Sequence, residues 1–278
     1  MLECVMNVSE GRDDEALDRL DAVARPDLLD RHTDADHHRS VFTLVGTNSP
    51  RRVAHRAVAE LDLRAHVGVH PRLGVVDVVP FVPLADAGLA EALQARDEFA
   101  AWAAAELDVP CFLYGPQRSL PDIRRNAFTS LPPDVGPSEP HLTAGAMCVG
   151  AREPLVAYNV WLADDNLDMA RRIASEIRSP DLRTLGLRAG GGVQVSMNLV
   201  APMRVGPGEA YDLVAARARV RRAELVGLVP EAVLRAVPAT RWVELDLDAD
   251  RTVEARLAGL TKPRPGSGGG GAPGGLRA

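Results

Sequence analysis

The sequence predicts an α/β protein of the α+β type: two similar subdomains, each a mixed β-sheet with helices on one face. Three observations carry the prediction. Short β-branched runs alternate with segments of helical period. The order of elements recurs in the second half. The 278 residues are enough for one large domain or two small ones. The expected boundaries are 1–150 and 151–260, followed by a tail over 261–278. That tail is rich in glycine and proline, so it has too little apolar surface to offset its chain entropy and is expected to be disordered.

Leu17, Leu20 and Ala24 keep helical spacing behind an Asp-rich first turn, and Pro26 ends that helix. Val41-Phe42-Thr43-Leu44-Val45 reads as a buried strand closed by Gly46. Pro50 then sits in the first turn of a helix carrying Val53, Ala57, Val58 and Leu61, where its missing N–H costs least. Residues 75–82 form an apolar strand, 89–106 a long helix, and Cys111-Phe112-Leu113-Tyr114 a short strand. The second half repeats this plan. It has a strand over 156–162, a helix over 166–177 and a strand into the Gly190-Gly191-Gly192 turn. A strand over 193–200, a helix from Pro207 to about Val220 and a short helix to Val237 complete it. Each half is therefore expected to have a ferredoxin-like build, with a ligand cleft between them.

Composition removes several classes. Apolar residues make up 46% and charged residues 25%, the balance of a globular chain. No apolar run approaches the ~18 residues of a membrane helix, and the start lacks a basic region followed by an apolar one. No signal peptide is expected, and the expected location is cytoplasmic. Cys4, Cys111 and Cys148 are too widely and irregularly spaced for a disulfide framework or a zinc set. With a net charge of −6 and 4% aromatics, neither electrostatic attachment to nucleic acid nor stacking on single strands is expected.

Six of the seven histidines fall between His32 and His70. Gly68-Val69-His70-Pro71-Arg72-Leu73-Gly74 is the densest constellation. Pro71 stiffens the backbone after His70, and the loop offers an imidazole for proton transfer and a guanidinium for a carboxylate. The alternative is a plain loop whose histidine caps strand ends. Asp36, His37 and His38 suggest a metal, but adjacent histidines seldom face one ion, and a polar loop before a strand explains them as well. Gly190-Gly191-Gly192 precedes a strand rather than a helix, so it lacks the helix N-terminus of a phosphate loop. Residues 132–141, rich in proline and glycine, lead into Leu142-Thr143-Ala144-Gly145-Ala146. Those small residues allow a flat ligand to lie on the backbone, unless the segment is only a connection.

Taken in order, these segments resemble the formiminotransferase family. The resemblance opens with Glu3-Cys4-Val5-Met6-Asn7-Val8-Ser9-Glu10-Gly11 and passes through Asp34 and Arg39-Ser40-Val41. It is most specific at His70-Pro71-Arg72-Leu73-Gly74 and Asp77-Val78-Val79-Pro80. It continues at Asp134-Val135-Gly136-Pro137, Gln194-Val195-Ser196-Met197-Asn198 and Glu224-Leu225-Val226-Gly227. It implies transfer of a formimino group from N-formimino-L-glutamate to N5 of tetrahydrofolate, which is a substrate, with no metal. It also implies His70 as catalytic base and acid, a homodimer, and a folate loop containing Gly136, Pro137, Ser138, His141, Thr143, Ala144 and Gly145. Within that chemistry, Asp34 suits the histidine's other nitrogen or an amidinium charge. Arg72 suits a substrate carboxylate, and Gln194 and Asn198 suit the pterin. The chain departs from the family's usual Lys-Gly-Glu before the His-Pro-Arg motif, having Val67-Gly68-Val69 instead. A folate-binding relative with another donor, or with no catalysis, is the second reading; metal-dependent amide or amidine hydrolysis is the third.

Overall fold

A computed structural model describes residues 1–68 and 72–261, so His70 and the tail from Lys262 lie outside the described residues. The first half contains β1 (Leu2–Val8), α1 (Asp14–Ala24), β2 (Leu28–Asp34), β3 (Arg39–Val45), α2 (Asn48–Glu60) and β4 (Val76–Pro83). It continues with α3 (Leu89–Leu107), β5 (Cys111–Tyr114), α4 (Leu120–Asn126) and β6 (Met147–Ala151). These strands form a six-stranded sheet in the order β2-β3-β1-β4-β6-β5, antiparallel except where β6 runs parallel to β4 and β5.

The second half contains β7 (Val156–Leu162), α5 (Leu167–Ile177), β8 (Leu182–Ala189), β9 (Gly192–Leu199), α6 (Pro207–Ala215) and β10 (Val220–Val226). Its four strands are antiparallel throughout, in the order β10-β7-β9-β8. With α7 (Glu231–Ala236) and α8 (Val253–Thr261) following, this half has the β-α-β-β-α-β order expected of it. The sheet order β2-β3-β1-β4 repeats the same arrangement in the first half. α6 stops at Ala215 rather than near Val220, because the two-residue period that buries Ala223 and Leu225 already belongs to β10.

Local chemistry sets the helix starts. The Asp13 carboxylate accepts the Ala16 N–H at 2.9 Å, and Asn166 does the same for Met169. Each sheet carries its own apolar core on its helical side. Met6, Phe42, Leu44 and Phe81 meet Leu17, Leu20, Val53 and Phe99 in the first. Tyr158, Val195, Met197 and Leu225 meet Ile173 and Val214 in the second. Between the halves lies a small cluster of Leu29, Leu228 and Val253, and α8 rests on β2. The cysteines are buried and free, and burial pushes the Cys111 thiol up to about 12.

Gly145 has φ +71, and a β-carbon there would lie 2.1 Å from the Leu73 carbonyl oxygen. Gly145→Ala is therefore expected to cost about 3 kcal/mol in urea unfolding. Gly46, at φ +78 with open space around it, should cost only about 1–2 kcal/mol on the same change.

Glu3 is buried on β1. Its carboxyl is pushed up from 4.5 to about 7 by burial; Arg152 opposes the rise and Glu254 adds to it. The folded state holds this proton more tightly than the unfolded one, so stability falls as pH rises from 4.5 through 7. Glu3→Gln should match the parent near pH 4 and exceed it by about 3 kcal/mol at pH 8 in denaturant titrations. A constant difference across that range would contradict this.

Candidate functional site

Polar side chains converge at the tip of the β2–β3 hairpin. Asp34 ends β2 opposite Arg39. Its Oδ1 accepts the N–H groups of Asp36 and His37, both at 2.8 Å, and its Oδ2 lies 2.6 Å from His37 Nδ1. A short acidic side chain satisfies the donors of a tight turn, and here it also orients an imidazole. Burial pushes the Asp34 carboxyl up, but hydrogen bonds from the His37 side chain and from the turn's N–H groups act against burial, and the carboxyl is held at about 2. The His37 ring is buried and reaches across to β9, where Gln194 Nε2 stands 3.5 Å from His37 Nε2.

Gln194 is fully buried although it lies on the face of β9 opposite Val193, Val195 and Met197, which fill the second core. Its Oε1 has no hydrogen-bond partner among the described residues. On the same sheet Glu224 accepts from Trp161 Nε1 at 2.7 Å and Asn159 Nδ2 at 3.1 Å, and it lies 4.0 Å from His32 Nε2. The β8–β9 hairpin packs tightly on the Asp36 turn: a β-carbon at Gly190 would meet Asp36 Oδ1 at 2.2 Å. A cavity of about 690 Å³ opens beside this contact, lined by Arg12, Asp36, Asp165, Arg188, Gly191 and Arg221 among others.

His38 turns away from His37. Its Nδ1 lies 3.1 Å from the Val67 carbonyl and its Nε2 3.0 Å from Glu10 Oε1. Both neighbours only accept, so a ring with two N–H groups satisfies both contacts. Glu10 also takes the N–H groups of Gly11, Arg12 and Asp13. These and the charge of His38 hold its carboxyl low against the opposing effect of burial. His66 stacks on His38 at 4.0 Å and donates from Nε2 to the His38 carbonyl, which leaves its Nδ1 to accept from Arg72.

Burial lowers the Arg72 guanidinium, with Asp77 acting the other way. Asp77 is buried, pairs with Arg124 and accepts the Leu73 N–H at 2.8 Å, anchoring the chain beyond Arg72. The 136–145 segment lies alongside. Leu63 N–H donates to the Thr143 carbonyl at 2.7 Å, and the Ala146 N–H to the Leu73 carbonyl at 2.9 Å. His141 Nδ1 holds that loop's shape by accepting the Ala144 N–H at 3.0 Å.

The structure thus joins Asp34 and Gln194 through His37, and sets Arg72 and the Thr143, Ala144 and Gly145 backbone on adjoining segments. Gly136, Ser138 and Asn198 are exposed, and Pro137 is half-buried. The roles of His37 as a link and of Glu10, His38 and His66 around Arg72 were not apparent from sequence. Only the Asp-x-x-His spacing of the turn signals any of them.

Two α/β units meet at a polar cavity lined by the side chains of Arg12, Arg188 and Arg221 with Asp36 and Asp165. Residues 1–152 match the formiminotransferase domain, N-terminal subdomain. The chain is 35% identical to the glutamate formimidoyltransferase of Streptococcus pyogenes serotype M1, the match covering 84% of this chain and 90% of that protein. It is 38% identical to the glutamate formimidoyltransferase of Thermoplasma acidophilum, over 84% and 89% respectively. Against the formimidoyltransferase-cyclodeaminase of Dictyostelium discoideum it is 31% identical, over 93% of this chain and 56% of that one. The chain belongs to the formiminotransferase family, and it is a transferase.

The Asp34 carboxyl sits below its ordinary 3.8, so its contribution to stability is present above that value and is lost as pH falls toward 2. Asp34→Asn should cost about 2 kcal/mol at pH 7, and the difference should vanish near pH 2 in denaturant titrations.

Proposed function

We propose that this chain transfers the formimino group of N-formimino-L-glutamate to N5 of tetrahydrofolate, releasing glutamate and 5-formiminotetrahydrofolate. The observation that carries the reading is the polar seam of Asp34, His37 and Gln194 beside a cavity bearing three guanidiniums, in a chain of this family. Both substrates end in glutamate carboxylates, which suit the guanidiniums of Arg12, Arg188 and Arg221.

In this reading N5 attacks the amidine carbon, and a C–N bond forms to give a tetrahedral intermediate. His70 takes the N5 proton as base and returns it, as acid, to the glutamate nitrogen while that C–N bond breaks. Asp34 stays anionic beside the reacting amidinium, and Arg72 takes a donor carboxylate. Gly136, Pro137, Ser138, His141, Thr143, Ala144 and Gly145 receive the pteridine on one side, with Gln194 and Asn198 offering amides from the other. Holding donor and acceptor together supplies much of the remaining acceleration. A homodimer and a cytoplasmic location belong to the same reading, as do subdomains divided near residue 150.

The test is single-turnover transfer at neutral pH, with tetrahydrofolate binding recorded on the same preparation. His70→Ala should slow transfer by roughly 10²–10⁴-fold while leaving folate affinity nearly unchanged. Full activity in that variant would refute His70 as the base. Binding without transfer in the parent would favour a folate-binding relative with another donor, a reading that the exposed Val67 beside the His-Pro-Arg motif supports. Absence of both would sink the folate reading.

A further inference from the structure

We infer that His37 is a positioning residue that fixes which end of the Gln194 amide is presented to the ligand, so that Oε1 accepts an N–H of the ligand's ring. The inference rests on the folate reading for the identity of that ring, and on geometry alone for the amide. Asp34 accepts two backbone N–H groups through one oxygen and faces His37 Nδ1 at 2.6 Å through the other. A carboxylate held at about 2 is ionised throughout the working range and only accepts, so His37 Nδ1 must carry a proton. The Gln194 NH₂ stands toward Nε2 at 3.5 Å and can only donate, so Nε2 is the ring's accepting nitrogen. The opposite amide orientation would set Oε1 against the Nε2 lone pair. The imidazole tautomer therefore dictates the amide.

The other end of that amide is the unusual part. Gln194 is fully buried, and its Oε1 has no hydrogen-bond partner among the described residues. A buried acceptor without a donor costs free energy that a purely structural residue has no reason to carry. Leucine on the same face would avoid the cost. The orphaned oxygen instead fits a planar ring bearing N–H donors that enters between the sheets, as a reduced pterin does. Specificity for the ring then rests on a chain from Asp34 through His37 to Gln194, of which only Gln194 touches the ring. A ring presenting an acceptor at that position would meet Oε1 lone pair to lone pair and be rejected.

Two measurements test this. The first needs no ligand: long-range proton–nitrogen spectra of the whole protein near pH 7 should show His37 protonated at Nδ1 and bare at Nε2. An Nε2–H tautomer, or a doubly protonated ring at that pH, overturns the inference.

The second is a double-mutant cycle on tetrahydrofolate binding by calorimetry, with folding of each variant checked by thermal unfolding. Gln194→Leu and His37→Leu should each weaken binding about tenfold, and the double variant should also lose about tenfold, since both act through one hydrogen bond. A double variant weaker by about a hundredfold would mean that the two side chains act independently, and would overturn the inference. If the parent binds no tetrahydrofolate, the folate reading fails, and the His37 spectrum alone still decides the positioning claim.

Discussion

In the second sheet the helices α5 and α6 pack on one face and leave a polar face buried opposite, and that constraint organises the site. β9 shows it most directly. Its odd-numbered residues Val193, Val195 and Met197 fill the core beneath α5 and α6, while Gln194 is buried just as completely on the opposite side. A second apolar face would have produced a sandwich. Here the face carries Gln194, Asn159, Trp161 and Glu224, and every buried polar atom of these four side chains is paired within the protein except Gln194 Oε1. The site is what that pairing leaves at the seam.

The fold was legible where periods are strong. The helices bearing Leu17 and Leu20 or Val53 and Ala57, and the strands over 41–45 and 156–162, stand where spacing and proline predict them. β2 was not legible. Leu28-Leu29-Asp30-Arg31-His32-Thr33-Asp34 lacks alternation because it is an edge strand paired only with β3, with a polar end that shapes the turn. β6 is short and built of small residues, and it is set by the parallel neighbours on either side rather than by its own sequence.

The site divides in the same way. The arginine and glycines around the His-Pro-Arg motif announce themselves, and so does Asp34 as a turn residue. The path to Gln194 does not, because it spans 157 positions and exists only once the two sheets meet. Adjacent His37 and His38 looked like weak metal ligands, and the structure sends them to separate partners. Where the family usually places a lysine and a glutamate, this chain has Val67 and Val69. His38 Nδ1 stands 3.1 Å from the Val67 carbonyl and its Nε2 3.0 Å from Glu10 Oε1, so two other segments bring polar side chains to that stretch.

The two large cores have no residue in common, and the apolar cluster joining the halves is built on Leu29, Leu228 and Val253. Parting the halves therefore exposes far less hydrocarbon than unfolding either one. Each half keeps its own packing, and the contact between them rests on few apolar side chains. Those joining side chains sit on β2, on α8 and just beyond β10, so a substitution there loosens the union of the halves while leaving both large cores intact.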